Sequence, residues 1–196
     1  MVTPVALNLP LSDSDVSGLK AGDIVTLSGR LVTGRDRIHK YLAERPRKEE
    51  VPFDLSGTVL YHCGPVVENA DGGFRAVAAG PTTSMRVEMY EAIVIREYGL
   101  RGIMGKGGMG EGTRRALKEY GCVYLHTIGG AAVYLAARIR KAVQPSVLRA
   151  REDLRSRSAS APSPNMRAER TTGGLAPVSK VNPARNPRRQ GHRRAR

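Results

Sequence analysis

Residues 79–110, AGPTTSMRVEMYEAIVIREYGLRGIMGKGGMG, constrain the fold most, because turn, helix, strand and turn alternate within one short run. Gly80-Pro81-Thr82-Thr83 is a small-residue turn, and Met85, Met89, Ile93 and Val94 follow it at helical spacing. Ile103-Met104 is a short apolar run, and Gly105-Lys106-Gly107-Gly108 turns the chain again. Two polar turns, one rich in hydroxyls and one carrying a cation, therefore sit at the ends of two predicted strands. Parallel α/β sheets place their binding groups at such C-terminal strand ends. Arg86 falls in the first turn of the predicted helix, where the helix dipole disfavours a cation. An anion sharing the site would account for it.

The rest of the chain extends the pattern. Val5, Leu7 and Leu9 alternate as a first strand or extended arm, and 24–29 (IVTLSG) is a β-branched run that reads as a strand. Thr33-Gly34-Arg35-Asp36-Arg37 follows, with Thr33 placed to cap a helix whose period is marked by Ile38, Tyr41 and Leu42. Thr58 to Cys63 and Phe74 to Ala79 read as strands, and Glu111 to Tyr120 as a helix burying Ala116 and Leu117. Cys122 to Leu125 is a strand ending in the polar turn His126-Thr127-Ile128-Gly129-Gly130, before a helix from Ala131 to Ile139. The expectation is one α/β domain with a mixed sheet over residues 1–145; strand order does not follow from the pattern.

Charge separates this domain from what comes after it. Of the net +14, most lies in residues 146–196, which hold 13 Lys and Arg against 3 acidic residues and are rich in Ser, Pro and Arg. No apolar face can be drawn through that segment, so a disordered basic tail is expected there. No apolar run is long enough to span a bilayer and no signal peptide is visible, which leads to the expectation of a cytoplasmic protein without membrane contact. Cys63 and Cys122 stand too far apart in sequence to make a metal-ligand spacing, so the chain is expected to bind no metal by itself.

Three motifs carry candidate chemistry. Gly105 to Gly110 matches G-x-G-x-x-G between a predicted strand and helix, yet the next strand ends in His126 where a dinucleotide fold needs a carboxylate for the ribose. Arg35, Arg86 and Lys106 each follow a predicted strand; if their turns share one sheet edge, they suit a small dianion, since guanidinium grips carboxylate through two parallel hydrogen bonds. His39 is expected on the surface of its helix, and both cysteines as apolar strand residues. The resulting site is rich in cations and hydroxyls and poor in bases, as half of an active site would be.

Five blocks carry a more specific likeness: GDIVTLSGRLVTGRDRIHKYL (22–42), VPFDLSGTVLYHCGPV (51–66), AAGPTTSMRVEMY (78–90), GIMGKGGMG (102–110) and YLHTIGGAAVYLA (124–136). In this order they resemble the β subunit, equivalent to the C-terminal domain, of class I iron–sulfur fumarate hydratases and the related L(+)-tartrate dehydratases. The resemblance implies a swivelling β/β/α domain and a partner α subunit, in an α2β2 hetero-oligomer, whose three cysteines carry a [4Fe-4S] cluster. In that family a cluster iron without a cysteine ligand binds the hydroxyl and carboxylate of a C4 dicarboxylate substrate. By motif position, Arg35, Thr83, Arg86 and Lys106 would bind substrate, and Thr82 would exchange the C3 proton. Ser84-Met85 stands where the family often has small residues. The implied reaction is reversible hydration of fumarate to (S)-malate, with tartrate dehydration as the alternative. A nucleic-acid role through the tail is remote, because the tail has no aromatic residue for base stacking.

Overall fold

The structure is a computed structural model that describes residues 3–44, 51, 53–70 and 73–143, together with the backbone of 167–171 and 178–179. Its elements run β1 (Val5–Asn8), α1 (Asp13–Ser17), β2 (Ile24–Gly34), α2 (Asp36–Ala43), β3 (Val59–His62), β4 (Val66–Ala70), β5 (Gly73–Ala78), α3 (Glu88–Tyr98), β6 (Gly102–Gly105), α4 (Glu111–Glu119), β7 (Val123–His126), α5 (Ala132–Ala136), β8 (Lys141–Val143), β9 (Arg167–Thr171) and β10 (Val178–Ser179). A 3₁₀ turn, Ser84–Val87, leads into α3.

The sheet is mixed, as expected. β2, β3, β6 and β7 lie side by side and parallel. β4 and β5 form an antiparallel hairpin, and β5 also runs antiparallel to β8. Eleven residues long, β2 joins two regions: its first half pairs in parallel with β1, its second half with β3. The proposed tail, 146–196, falls mostly outside the described residues; within it, the backbones of β9 and β10 both run antiparallel to β2.

The parallel strands are buried on both faces, as their unbroken apolar runs require. Alternate residues feed two separate cores. Leu31, Val59, Tyr61, Met104, Val123 and Leu125 pack with Leu7, Val25, Leu27, Ala76 and Ala136 on one side. Val32, Leu60, Ile103 and Tyr124 pack with Ile38, Leu42, Val94, Ile95 and Ala116 from α2, α3 and α4 on the other. A Cβ on Gly102 would lie 2.7 Å from a Val59 methyl, so glycine is what lets β6 sit against β3.

The helical spacing of Met85, Met89, Ile93 and Val94 is matched by the 3₁₀ turn and α3, in which Met85 and Met89 are exposed, at 50 % and 72 %. The buried stripe of this segment is Val87, Glu91, Val94 and Ile95, one step around the helix. Thr33 belongs to β2 and is buried; the residue at the N-terminal cap of α2 is Arg35, without a side-chain cap.

Candidate functional site

All the residues expected to bind substrate lie along the C-terminal edge of the parallel strands. Arg35 follows the last residue of β2, and its side chain lies over Gly64, just past the end of β3: a Cβ there would meet Arg35 Cδ at 2.6 Å. The loop 79–83 folds back onto the same edge. Pro81 bridges to Cys63, and the Thr82 amide donates to the His62 carbonyl at 2.7 Å. Thr83 bridges in parallel to Lys106, and the Ser84 amide donates to the Lys106 carbonyl at 2.9 Å. Lys106 follows β6 and extends beneath Gly129 in the turn after β7; a Cβ on Gly129 would lie 3.5 Å from its Cδ. Thr82 is half-buried and Thr83 exposed, so their hydroxyls differ in access to water.

Arg86 has a partner that the sequence did not announce. Its Nε and a terminal NH2 each donate to the Asp36 carboxylate at 3.3 Å. Asp36 is the neighbour of Arg35, so this contact draws the α2 start and the 3₁₀ turn together. Both side chains are about half exposed.

The glycine turn does not form a phosphate cradle. At the N-terminus of α4, where a pyrophosphate would bind, the Glu88 carboxylate already accepts from the Gly110 amide at 2.7 Å, the Thr113 amide at 3.1 Å and the Thr113 hydroxyl at 2.7 Å. An anion from the protein itself satisfies the orphan donors and the positive dipole end. That leaves the side-chain cations as the groups along this edge that are free of such a cap.

Beneath the edge lies a buried polar chain. His39, on α2, is fully buried, which corrects its expected surface position; His62, Ser84 and Glu91 are equally inaccessible. Glu91 Oε2 stands 3.2 Å from His39 Nε2 and 3.1 Å from His62 Nε2. Both are short but bent contacts, with neither nitrogen aligned on the oxygen as in a hydrogen bond. His39 Nδ1 lies 2.9 Å from the Arg35 carbonyl, His62 Nδ1 2.9 Å from Ser84 Oγ, and Ser84 Oγ 3.0 Å from the Tyr124 hydroxyl, which accepts from the Gly108 amide at 3.2 Å. Burial alone would raise the Glu91 carboxyl, yet the two histidines outweigh it and hold the group well below the usual carboxylate range. Burial, the largest single influence, lowers His39, but the charge and contact of Glu91, the Arg35 carbonyl and the charge of Asp36 together outweigh it and raise the group.

Sequence reasoning missed Glu91, although one signal was present: an acid in an otherwise apolar stripe of Val87, Val94 and Ile95. Both cysteines are buried strand-associated thiols, as expected. Burial pushes Cys63 up to about 12 and Cys122 up as well, which keeps them protonated.

Comparison with known proteins decides the family. The sequence model described as Fumarase C-terminus matches residues 1–147. The chain belongs to the fumarase C-terminus family. A Geobacillus stearothermophilus protein bearing the name fumarate hydratase class I is 47 % identical over 133 residues, covering 67 % of this chain and 25 % of that protein. A Methanocaldococcus jannaschii protein bearing the name L(+)-tartrate dehydratase subunit beta is 38 % identical over 132 residues, covering 67 % of this chain and 68 % of that one. The L(+)-tartrate dehydratase subunit beta of Escherichia coli K12 is 35 % identical over 135 residues, covering 69 % of this chain and 66 % of that subunit. The chain thus aligns with about a quarter of the class I fumarate hydratase and about two thirds of the tartrate dehydratase subunits.

Proposed function

We propose that this chain is the β subunit of a class I hydro-lyase that interconverts fumarate and (S)-malate together with a cluster-bearing α subunit. The observation that carries the reading is the gathering of Arg35, Thr82, Thr83, Arg86 and Lys106 on one sheet edge, beside a helix N-terminus that Glu88 has already filled. Such an edge offers cationic side chains and hydroxyls to a small dianion. L(+)-tartrate dehydration is the second reading, favoured by the subunit names of the 35–38 % relatives.

The residues of this chain do not fit an iron–sulfur cluster. Its two thiols are buried, held protonated, and belong to different strand segments. The cluster is therefore assigned to the α subunit, and this chain contributes binding and proton handling. Arg35 and Arg86 each present a planar fork to a carboxylate, and Lys106 a point charge. In the dehydration direction the alkoxide of Thr82 takes the C3 proton of malate, and the C3 electron pair forms the double bond as the C2–O bond breaks. The departing hydroxide becomes water with a proton from the α subunit or solvent, while Thr82 releases its proton to solvent to complete the cycle. Threonine is a poor base at its ordinary pKa, so the flanking cations must stabilise its alkoxide. The hydrogen bond that the Thr82 amide donates to the His62 carbonyl holds the backbone that presents the hydroxyl.

A surface for the partner supports this reading. Met85, Met89, Ile128, Val133 and Tyr134 are exposed apolar side chains on the segments that flank the site turns. Among the described residues no helix is long and apolar enough to cross a membrane, and we place the assembled enzyme, an α2β2 complex, in the cytoplasm.

The test is co-expression with an α subunit that carries three spaced cysteines, under anaerobic conditions, followed by assay on malate and tartrate. The complex is expected to turn over malate, and this chain alone to be colourless and inactive. Iron–sulfur absorption and turnover by the isolated chain would overturn the half-site reading; turnover of tartrate alone would select the second reading.

A further inference from the structure

The buried chain beneath the site has a proton arrangement that its end groups and its charges fix together. At one end the Arg35 carbonyl can only accept, so His39 Nδ1 carries a proton. His39 Nε2 faces an ionised carboxylate at 3.2 Å, a contact that is attractive only if that nitrogen is protonated too. At the other end the Gly108 amide donates to the Tyr124 oxygen, which keeps a second lone pair, so the order of the hydroxyl protons is set by charge. His62 Nε2 faces the same carboxylate at 3.1 Å and carries a proton toward it. The His39 imidazolium already neutralises Glu91, and among the described residues a second buried imidazolium would have no buried counter-charge of its own. His62 is therefore neutral: its Nδ1 accepts from Ser84, and Ser84 Oγ accepts from Tyr124.

We propose that Glu91, paired with an imidazolium at His39 and a neutral Nε2–H tautomer at His62, is a positioning residue that locks the Arg35, Ser84–Arg86 and Lys106–Gly108 turns in the arrangement substrate binding requires. The claim rests on the reading of the site given above. Each end of the chain is backbone of a cation-bearing turn: the carbonyl of Arg35 itself, and the amide of Gly108, two residues past Lys106. Its middle member, Ser84, opens the 3₁₀ turn that carries Arg86. Gly105 is glycine for the same reason, because a Cβ there would collide with Ser84 Oγ and come within 3.0 Å of His62 Nδ1. Asp36 on α2 adds a second negative charge near His39, and the Cys122 thiol near Glu91 stays neutral. The tautomer also separates this cluster from a metal site with the same donor types: a His62 that accepts at Nδ1 has no lone pair at Nε2 to give a metal.

Two measurements test the proposal separately. Nitrogen NMR of the full chain at about pH 7 is expected to show both ring nitrogens of His39 protonated and only Nε2 of His62. A neutral His39, a His62 protonated at Nδ1, or a metal retained at one per chain overturns the proton arrangement whatever the enzyme does. In the assembled complex Glu91→Gln is expected to lower kcat/KM about 10- to 100-fold, the scale of misplaced binding groups, with partial recovery in Glu91→Asp. Tyr124→Phe leaves the ion pair intact and keeps the test open if Glu91→Gln does not fold; it is expected to raise KM by about tenfold with a smaller change in kcat. Activity of Tyr124→Phe within about twofold of the parent at equal cluster loading overturns the positioning role. A parent complex inactive on malate and tartrate overturns that role together with the function, while the spectra still decide the proton arrangement.

Discussion

Replacing Arg86 by Lys separates a substrate ligand from a surface residue. In the structure Arg86 meets Asp36 through two contacts of 3.3 Å, with both side chains about half exposed. A pair of that length and exposure contributes about 0–1 kcal/mol to stability, and Lys keeps the charge that supplies much of it. The melting temperature of the Arg86→Lys chain is therefore expected to fall by no more than about 2–4 °C. Catalysis should respond differently. A guanidinium bound to a carboxylate makes two parallel charge-assisted bonds, and Lys can replace only one of them. Losing one costs about 1.5–3 kcal/mol, or on the order of 10- to 100-fold in kcat/KM. The assay is malate dehydration by the assembled complex, with cluster content measured by absorbance and stability by calorimetry on the same preparations. Activity within about twofold of the parent, at equal loading, would remove Arg86 from the site and weaken the three-cation arrangement.

Glu88→Ala should strip the N-terminus of α4 of its protein anion, leaving the Gly110 and Thr113 amides without their acceptor. A loss of about 2–3 kcal/mol, or roughly 5–10 °C in melting temperature, is expected by thermal denaturation; an unchanged melting temperature would show that the cap contributes nothing. Glu91→Gln should lose stability in a pH-dependent way. The raised His39 contributes stability that is complete below its unfolded value of 6.5 and is lost as pH rises through its folded value; the depressed Glu91 contributes stability that is complete above 4.5 and is lost as pH falls through its folded value. The difference in melting temperature between parent and variant should thus be greatest between pH 4.5 and 6.5 and shrink on either side; a difference that does not vary with pH would deny the ion pair.

What was legible in the sequence was local. The β-branched runs became β2, β3 and β7, and the small-residue turns fell at strand ends, because strand propensity and turn chemistry act over a few residues. The five ordered blocks carried the family, which the comparisons bear out. The G-x-G-x-x-G match was already discounted in the sequence by His126 at the end of the next strand, since the same spacing serves any tight turn into a helix; Glu88, distant in sequence, adds that the helix end is already filled.

The methionines show the limit of periodicity. Met85 and Met89 have the spacing of a buried face, yet the face that α3 buries carries Glu91. A carboxylate alone in an apolar interior is too costly to expect there, so a reading of one segment assigns it to water. What makes its burial possible stands on two other elements: His39 on α2 and His62 on β3. The sequence by itself therefore determined the elements, their turns and the residue types at the edge. Only the tertiary structure decided which strands are neighbours, that Asp36 meets Arg86, and that three charged or polar side chains become one buried cluster, because the free energy of a desolvated charge depends on partners that the local chain does not contain.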